Sequence, residues 1–187
     1  MKKVFFVVLI LVAVLMLLDV RQYIAPSETS ATNANKPDVI DYYFNDFTLQ
    51  SYNTAGQRSY EVTGQHLKHW QAQQTSSIIT PHLQSFTEQG QIESVIQAQE
   101  AVLEHKLNQL TLKQAVNVQY APQSSDALTL MTEQLQADLN NKLITTTSHV
   151  MIRSTQATIQ STGLEAKLNE AYLRLPANVQ SVYQTRF

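Results

Sequence analysis

Polar and apolar residues are arranged very differently in the two parts of this chain. Lys2 and Lys3 are followed by an unbroken apolar run, Val4 to Leu18, which closes on Asp19 and Arg21. Nothing later is comparably apolar. From about residue 110 the pattern is period-two alternation. Leu110, Leu112, Val116, Val118 and Tyr120 alternate with Gln109, Thr111, Asn117 and Gln119; Val150 and Ile152 alternate with His149, Met151 and Arg153; Leu164, Ala166 and Leu168 alternate with Glu165 and Lys167. Each pattern predicts a strand with one buried face. Turn signals separate the strands at Ala55-Gly56, Gln89-Gly90, Pro122 to Asp126, Asn140-Asn141 and Asn169.

A weak internal repeat runs through these strands. Ala101-x-Leu103 precedes Val116-x-Val118, Ala137-x-Leu139 precedes Val150-x-Ile152, and Ala166-x-Leu168 precedes Val179. Gly64-x-x-Leu67 before Leu83 is a looser copy. Recurring strand pairs predict stacked layers. Two segments also fit a helical stripe: Leu128, Met131, Leu135 and Leu139, and Leu103, Leu107 and Leu110. The repeat and the flanking alternation favour strands for both.

The N-terminal run reads either as a retained anchor or as a cleaved signal peptide. Residues 4–20 are just long enough to span a bilayer, for which about 17–25 residues are needed. Tyr23 and the charges at Asp19 and Arg21 make a poor cleavage site, which favours the anchor. Lys2 and Lys3 then place a tip of residues 1–3 in the cytoplasm and the rest of the chain outside the inner membrane. Residues 21–37, which include Ser27 to Pro37 without a large apolar side chain, read as a flexible tether. A single folded domain is expected over 38–187.

Composition narrows the function classes. The net charge is −2 with 15% charged residues, so no basic field is present to hold nucleic acid. There is no cysteine, hence no disulfide, thiolate metal site or cysteine nucleophile. The five histidines are His66, His69, His82, His105 and His149. On a strand His66 and His69 fall on opposite faces, and no third ligand has suitable spacing, so no metal is expected and these read as surface or rim residues. There is no glycine-rich phosphate loop and no nucleophile elbow. Asp41 and Asp46 flank an aromatic cluster without defining an acid/base pair. The chain reads as a non-enzyme without a cofactor. Apolar side chains are plentiful: Tyr42, Phe44, Phe47, Leu49, Tyr52 and Tyr60, then Ile78, Ile79, Leu83 and Phe86, then Leu173, Leu175, Val179 and Tyr183. They fit a dry β core and equally an open apolar groove for acyl chains.

The segment Leu49-Gln-Ser-Tyr-Asn-Thr-Ala-Gly56 with Ser59-Tyr60, Gly64-Gln-His-Leu67, then Thr80-Pro-x-Leu83, Ser161-Thr-Gly-Leu164, Leu173 and Tyr183 resembles, in order, the LptC family, the bitopic subunit of the lipopolysaccharide export machine of Gram-negative bacteria. The chain departs from it in a longer Gln/Ser-rich stretch, Gln71 to Ser77. The resemblance implies an all-β fold, a twisted antiparallel open β-jellyroll preceded by one transmembrane helix. It implies lipopolysaccharide as cargo, taken from LptF/LptG-type transporter subunits with their ATPase and passed to an LptA-type periplasmic bridge protein by edge-to-edge β-augmentation. Phe47, Leu49 and Ile78 in the early strands, and Leu173 and Tyr183 in the last, match positions that would contact lipid. Two alternatives remain: a tethered β-domain adaptor that joins envelope proteins without binding lipid, and a hydrolase or carbohydrate-binding protein released by signal cleavage.

Overall fold

The computed structural model describes residues 39–125, 127–167, 169–170 and 172–183. The predicted tip (1–3), anchor (4–20) and tether (21–37) lie outside the described residues. Among those residues no helix is long and apolar enough to cross a membrane.

The described chain folds as twelve strands in one antiparallel sheet. They are β1 Tyr42–Tyr52, β2 Arg58–Trp70, β3 Thr75–Ile79, β4 His82–Phe86, β5 Ile92–Gln97, β6 Glu100–Glu104, β7 Gln109–Tyr120, β8 Leu128–Asp138, β9 Leu143–Ser154, β10 Ala157–Lys167, β11 Tyr172–Arg174 and β12 Ala177–Tyr183. Three pairs of short strands are halves of longer ones. β2 pairs β4 through Tyr60–Thr63 and β3 through His66–Trp70; β7 pairs β6 and then β5; β10 carries both β11 and β12. With these halves joined, every strand pairs with its sequence neighbours. The expected antiparallel all-β architecture is present, and its connectivity is a meander without the Greek-key crossovers of a jellyroll in the strict sense.

Among the described residues the turns foreseen from sequence are present, several held by side chains that imitate backbone. Asn53 Oδ1 accepts the N–H groups of Ala55 and Gln57, each at 3.0 Å, and Gly56 takes φ +76°. Asp138 Oδ1 accepts the N–H groups of Asn140 and Asn141 at 3.0 and 2.9 Å.

What the alternation does not foresee is a bend line crossing the whole sheet. Every long strand breaks at the same level. The breaks fall at Asp46 (φ 46°), at Gly64-Gln65, at Thr80-Pro81 between β3 and β4, at Ala98-Gln99 between β5 and β6, and at Gln114-Ala115 (φ 62° and 50°). They continue at Glu133-Gln134, Thr147-Ser148, Gly163 (φ 85°) and Leu175-Pro176. Neighbouring breaks touch: Thr80 N–H bonds Gln99 C=O at 2.8 Å, and Gln99 N–H bonds Gln114 C=O at 3.0 Å. A bulge with left-handed residues turns a strand sharply, and nine aligned breaks fold one sheet into two leaves. The first leaf holds β3, β6 and β11; the second holds β4, β5 and β12.

The bends also resolve the helix-like stripes. On β8 the buried positions run Leu128, Leu130, Thr132 and then Leu135, Ala137, because Glu133 and Gln134 insert a phase change. Leu103, Leu107 and Leu110 span the end of β6, its turn and the start of β7. Neither segment is helical: the first is β8 and the second a β6–turn–β7 hairpin, in keeping with the strands favoured by the repeat. The repeat itself now has a cause: Ala101, Ala137 and Ala166 lie on the first leaf, and Val116, Val150 and Val179 on the second.

The core face is built from rows of directly opposed residues. In the second leaf one row reads Leu49, Val62, Leu83, Ile96, Val118, Leu130, Ile152, Ile159, Ser181. In the first leaf one row reads Tyr42, His69, Ser76, Leu103, Leu110, Ala137, Ile144, Ala166, Leu173. Opposed side chains share a face and lie close enough to pack. One contiguous buried cluster draws on both leaves, with Val116 and Val150 each only 1% exposed.

Candidate functional site

Burial along these rows is not uniform, and that gradient defines the candidate site. In the middle strands the core face is dry: Leu112, Val118, Leu130, Leu135, Ile144 and Ile152 are all buried. Toward β1 it opens, with Phe44 53% and Leu49 56% exposed; toward β12 it opens again, with Tyr183 75% exposed. The two ends of the sheet are not paired with one another. The apolar inner face therefore runs out to two free edges, each carrying unpaired backbone groups.

The sequence-predicted residues fall along this face. Phe47 opposes Gly64, and Phe47 and Ile78 close over the space a Gly64 β-carbon would fill. Ile78 lies in the first leaf between Leu67 and Ala101 and packs on the buried cluster. Leu49 ends the second-leaf row. Leu173 opposes Ala166 and packs on the cluster at the other side. Tyr183 opposes Ala157, two residues before Ile159 and on the same face. The five residues are not gathered at one point. They mark the two ends of one inner surface: Phe47, Leu49 and Ile78 on the β1 side, Leu173 and Tyr183 on the β11–β12 side.

One histidine departs from the sequence reading. His69, expected at the surface, is 8% exposed. It stacks on Tyr42 with ring centres 4.6 Å apart and meets His105 edge-on at 5.3 Å. Ser76 Oγ joins the two imidazoles, 2.9 Å from His69 Nδ1 and 2.8 Å from His105 Nε2. The Asp41 carboxylate takes the Gln71 N–H, and Asp41 N–H bonds His69 C=O at 2.9 Å. This polar plug fills the outer end of the first-leaf row and fixes the start of β1. Burial, with the Asp41 charge second, pushes the Tyr42 phenol up. Residue counting alone could not show this, because the register that puts His69 opposite both Tyr42 and Ser76 depends on the hairpins. Among the described residues no group of side chains could hold a metal ion.

The features together define an open-edged, folded β-sheet domain with an apolar inner face. A family profile described as lipopolysaccharide-assembly, LptC-related, matches residues 6–184, and the chain belongs to that family. No curated protein matches the sequence significantly. Membership makes the protein a component of lipopolysaccharide transport, in a family anchored to the inner membrane and not known for enzymes.

Proposed function

We propose that the folded sheet carries lipopolysaccharide, with lipid A acyl chains lying against the apolar inner face, from LptF/LptG-type subunits of the inner-membrane transporter to an LptA-type periplasmic bridge protein. The observation that carries this reading is the gradient of burial: large apolar side chains on the core face become solvent-exposed only where the sheet ends, at Phe44 and Leu49 and again at Tyr183. Exposed apolar surface continuous with a core is a liability unless something covers it. Cargo and a neighbouring strand would cover both edges, through β-augmentation. Residues 4–20 would hold the domain beside the transporter, with energy supplied by its ATPase.

A photo-crosslinking amino acid at Phe47, Ile78 or Leu173 tests the proposal. The expected product is a glycolipid adduct at all three positions in exporting cells. Adducts to protein alone, with the domain folded and export intact, would sink it. One feature favours a second reading, in which the domain joins envelope proteins by its edges without holding lipid: the middle of the inner face is already filled by its own side chains. In that case edge substitutions abolish export, and Leu173→Asn matters only in so far as circular dichroism shows unfolding.

A further inference from the structure

At the hairpin end of the second leaf, the β1–β2 and β4–β5 turns border an open cavity of about 190 Å³. Its walls include Arg58, Tyr60, Ser85, Phe86, Glu88 and Glu93. The cation in this wall is already engaged: Arg58 lies 2.9 Å from Glu61 Oε2, and its guanidinium sits 3.9 Å above the centre of the Phe86 ring. Ser85 is likewise engaged, its hydroxyl 2.7 Å from that of Ser94. Glu93 is half-buried, and among the described residues no hydrogen bond or ion pair reaches its carboxylate. Burial pushes this carboxyl up.

A half-buried, unpaired carboxylate facing an open cavity is unfavourable until a cation with hydrogen-bond donors enters. Glu88 lines the same cavity, and with Arg58 engaged by Glu61 the wall keeps an excess of negative charge, which disfavours a phosphate or carboxylate ligand. This volume suits a small, headgroup-sized ligand. We propose that this cavity binds a primary ammonium group on a short hydroxylated chain, an amino-alcohol of the ethanolamine class. The Glu93 carboxylate receives the ammonium and the Tyr60 hydroxyl bonds the polar end of the ligand. The cavity lies at the hairpin end of the leaf, where Tyr60 and Ser85 follow the Val62–Leu83 pair, and binding of the ammonium probe is read independently of lipid carriage.

The test is ligand-observed saturation-transfer NMR on the full chain in detergent micelles, with ethanolamine as probe and neutral N-acetylethanolamine as control. A saturable signal is expected for ethanolamine and none for the control. Glu93→Gln, which keeps the shape and removes the charge, should weaken binding at least about tenfold, as loss of a charge-assisted contact does. Tyr60→Phe should weaken it less, and an unchanged circular dichroism spectrum for both variants excludes unfolding as the cause. Equal signals from probe and control, no saturable signal, or full binding by Glu93→Gln would overturn the proposal. Doping the micelles with phosphatidylethanolamine or phosphatidylcholine identifies the source. Displacement by the first alone shows that the site takes a lipid headgroup, and displacement by neither shows that it takes a free amino-alcohol.

Discussion

A β-carbon at Gly64 would stand 2.7 Å from Ile78 Cγ2 and 2.8 Å from Phe47 Cε1. Neither neighbour is the loose end of a long side chain, so an alanine there must push an aromatic ring or a branched aliphatic away from the inner face. Gly64→Ala is expected to cost about 1–3 kcal/mol, the usual range for overpacking, as read from urea unfolding; a change below about 0.5 kcal/mol, ordinary for surface substitutions, would show that the ring moves freely. Asp138 gives a second residue-scale expectation. The Asn141 N–H holds its carboxyl below the ordinary value against a smaller opposing effect of burial, aided by the Asn141 side chain at 2.7 Å and the Asn140 N–H. Because the folded pKa is depressed, the unfolded chain binds the proton first as pH falls. The contribution is therefore whole above the unfolded value, about 3.9, and is lost as pH drops through the folded one. Asp138→Ala should flatten the fall in urea midpoint below about pH 4, and an unchanged acid slope would remove Asp138 from the account.

At the scale of elements the bend line is the controlling feature, and Gln114 and Ala115 are its sharpest point, with consecutive left-handed residues in the middle of β7. A left-handed non-glycine residue costs roughly 1–2 kcal/mol, while glycine adds about 0.5–1 kcal/mol of unfolded-state entropy. Ala115→Gly should therefore be neutral or slightly stabilising in thermal unfolding, and Ala115→Val clearly destabilising; the reverse order would mean that the corner is not held as described. The same element separates what was legible in the sequence from what was not. Alternation named β7, β9 and β10, and Asn, Asp and Gly named the turns, because both signals are local. The corner was hidden because Gln114 and Ala115 carry no glycine or proline to announce a left-handed turn, and because the phase change at Glu133-Gln134 imitates the spacing of a helix. The placement of Phe47, Leu49, Ile78, Leu173 and Tyr183 rested on family resemblance. Period two alone gives each residue a face but not its distance from an edge. The burial of His69 and the Glu93 cavity arise from registers between hairpins, which no single-segment pattern encodes.

For the whole molecule, the gradient of burial separates residues that hold the fold from residues that would serve the cargo. Leu49 and Ile152 lie on one second-leaf row, six strands apart, yet Leu49 is 56% and Ile152 only 9% exposed. Asparagine at Ile152 removes a buried aliphatic and leaves an amide without water, so a loss of about 3–5 kcal/mol is expected, enough to unfold much of a domain of ordinary stability. Asparagine at Leu49 disturbs little of the core, and its cost should stay below about 1 kcal/mol. If the inner face is a lipid path that opens at β1, Leu49→Asn must nonetheless reduce glycolipid capture by a crosslinker placed deeper, at Ile78, because cargo would pass the edge before reaching the first leaf. If the edge only joins a partner strand, capture at Ile78 is absent from the start and Leu49→Asn affects co-purification with the transporter alone. Measuring urea stability, crosslinking at Ile78 and co-purification on the same two variants keeps folding, carriage and docking apart. Undiminished capture at Ile78 in a folded Leu49→Asn protein would move the receiving point away from β1.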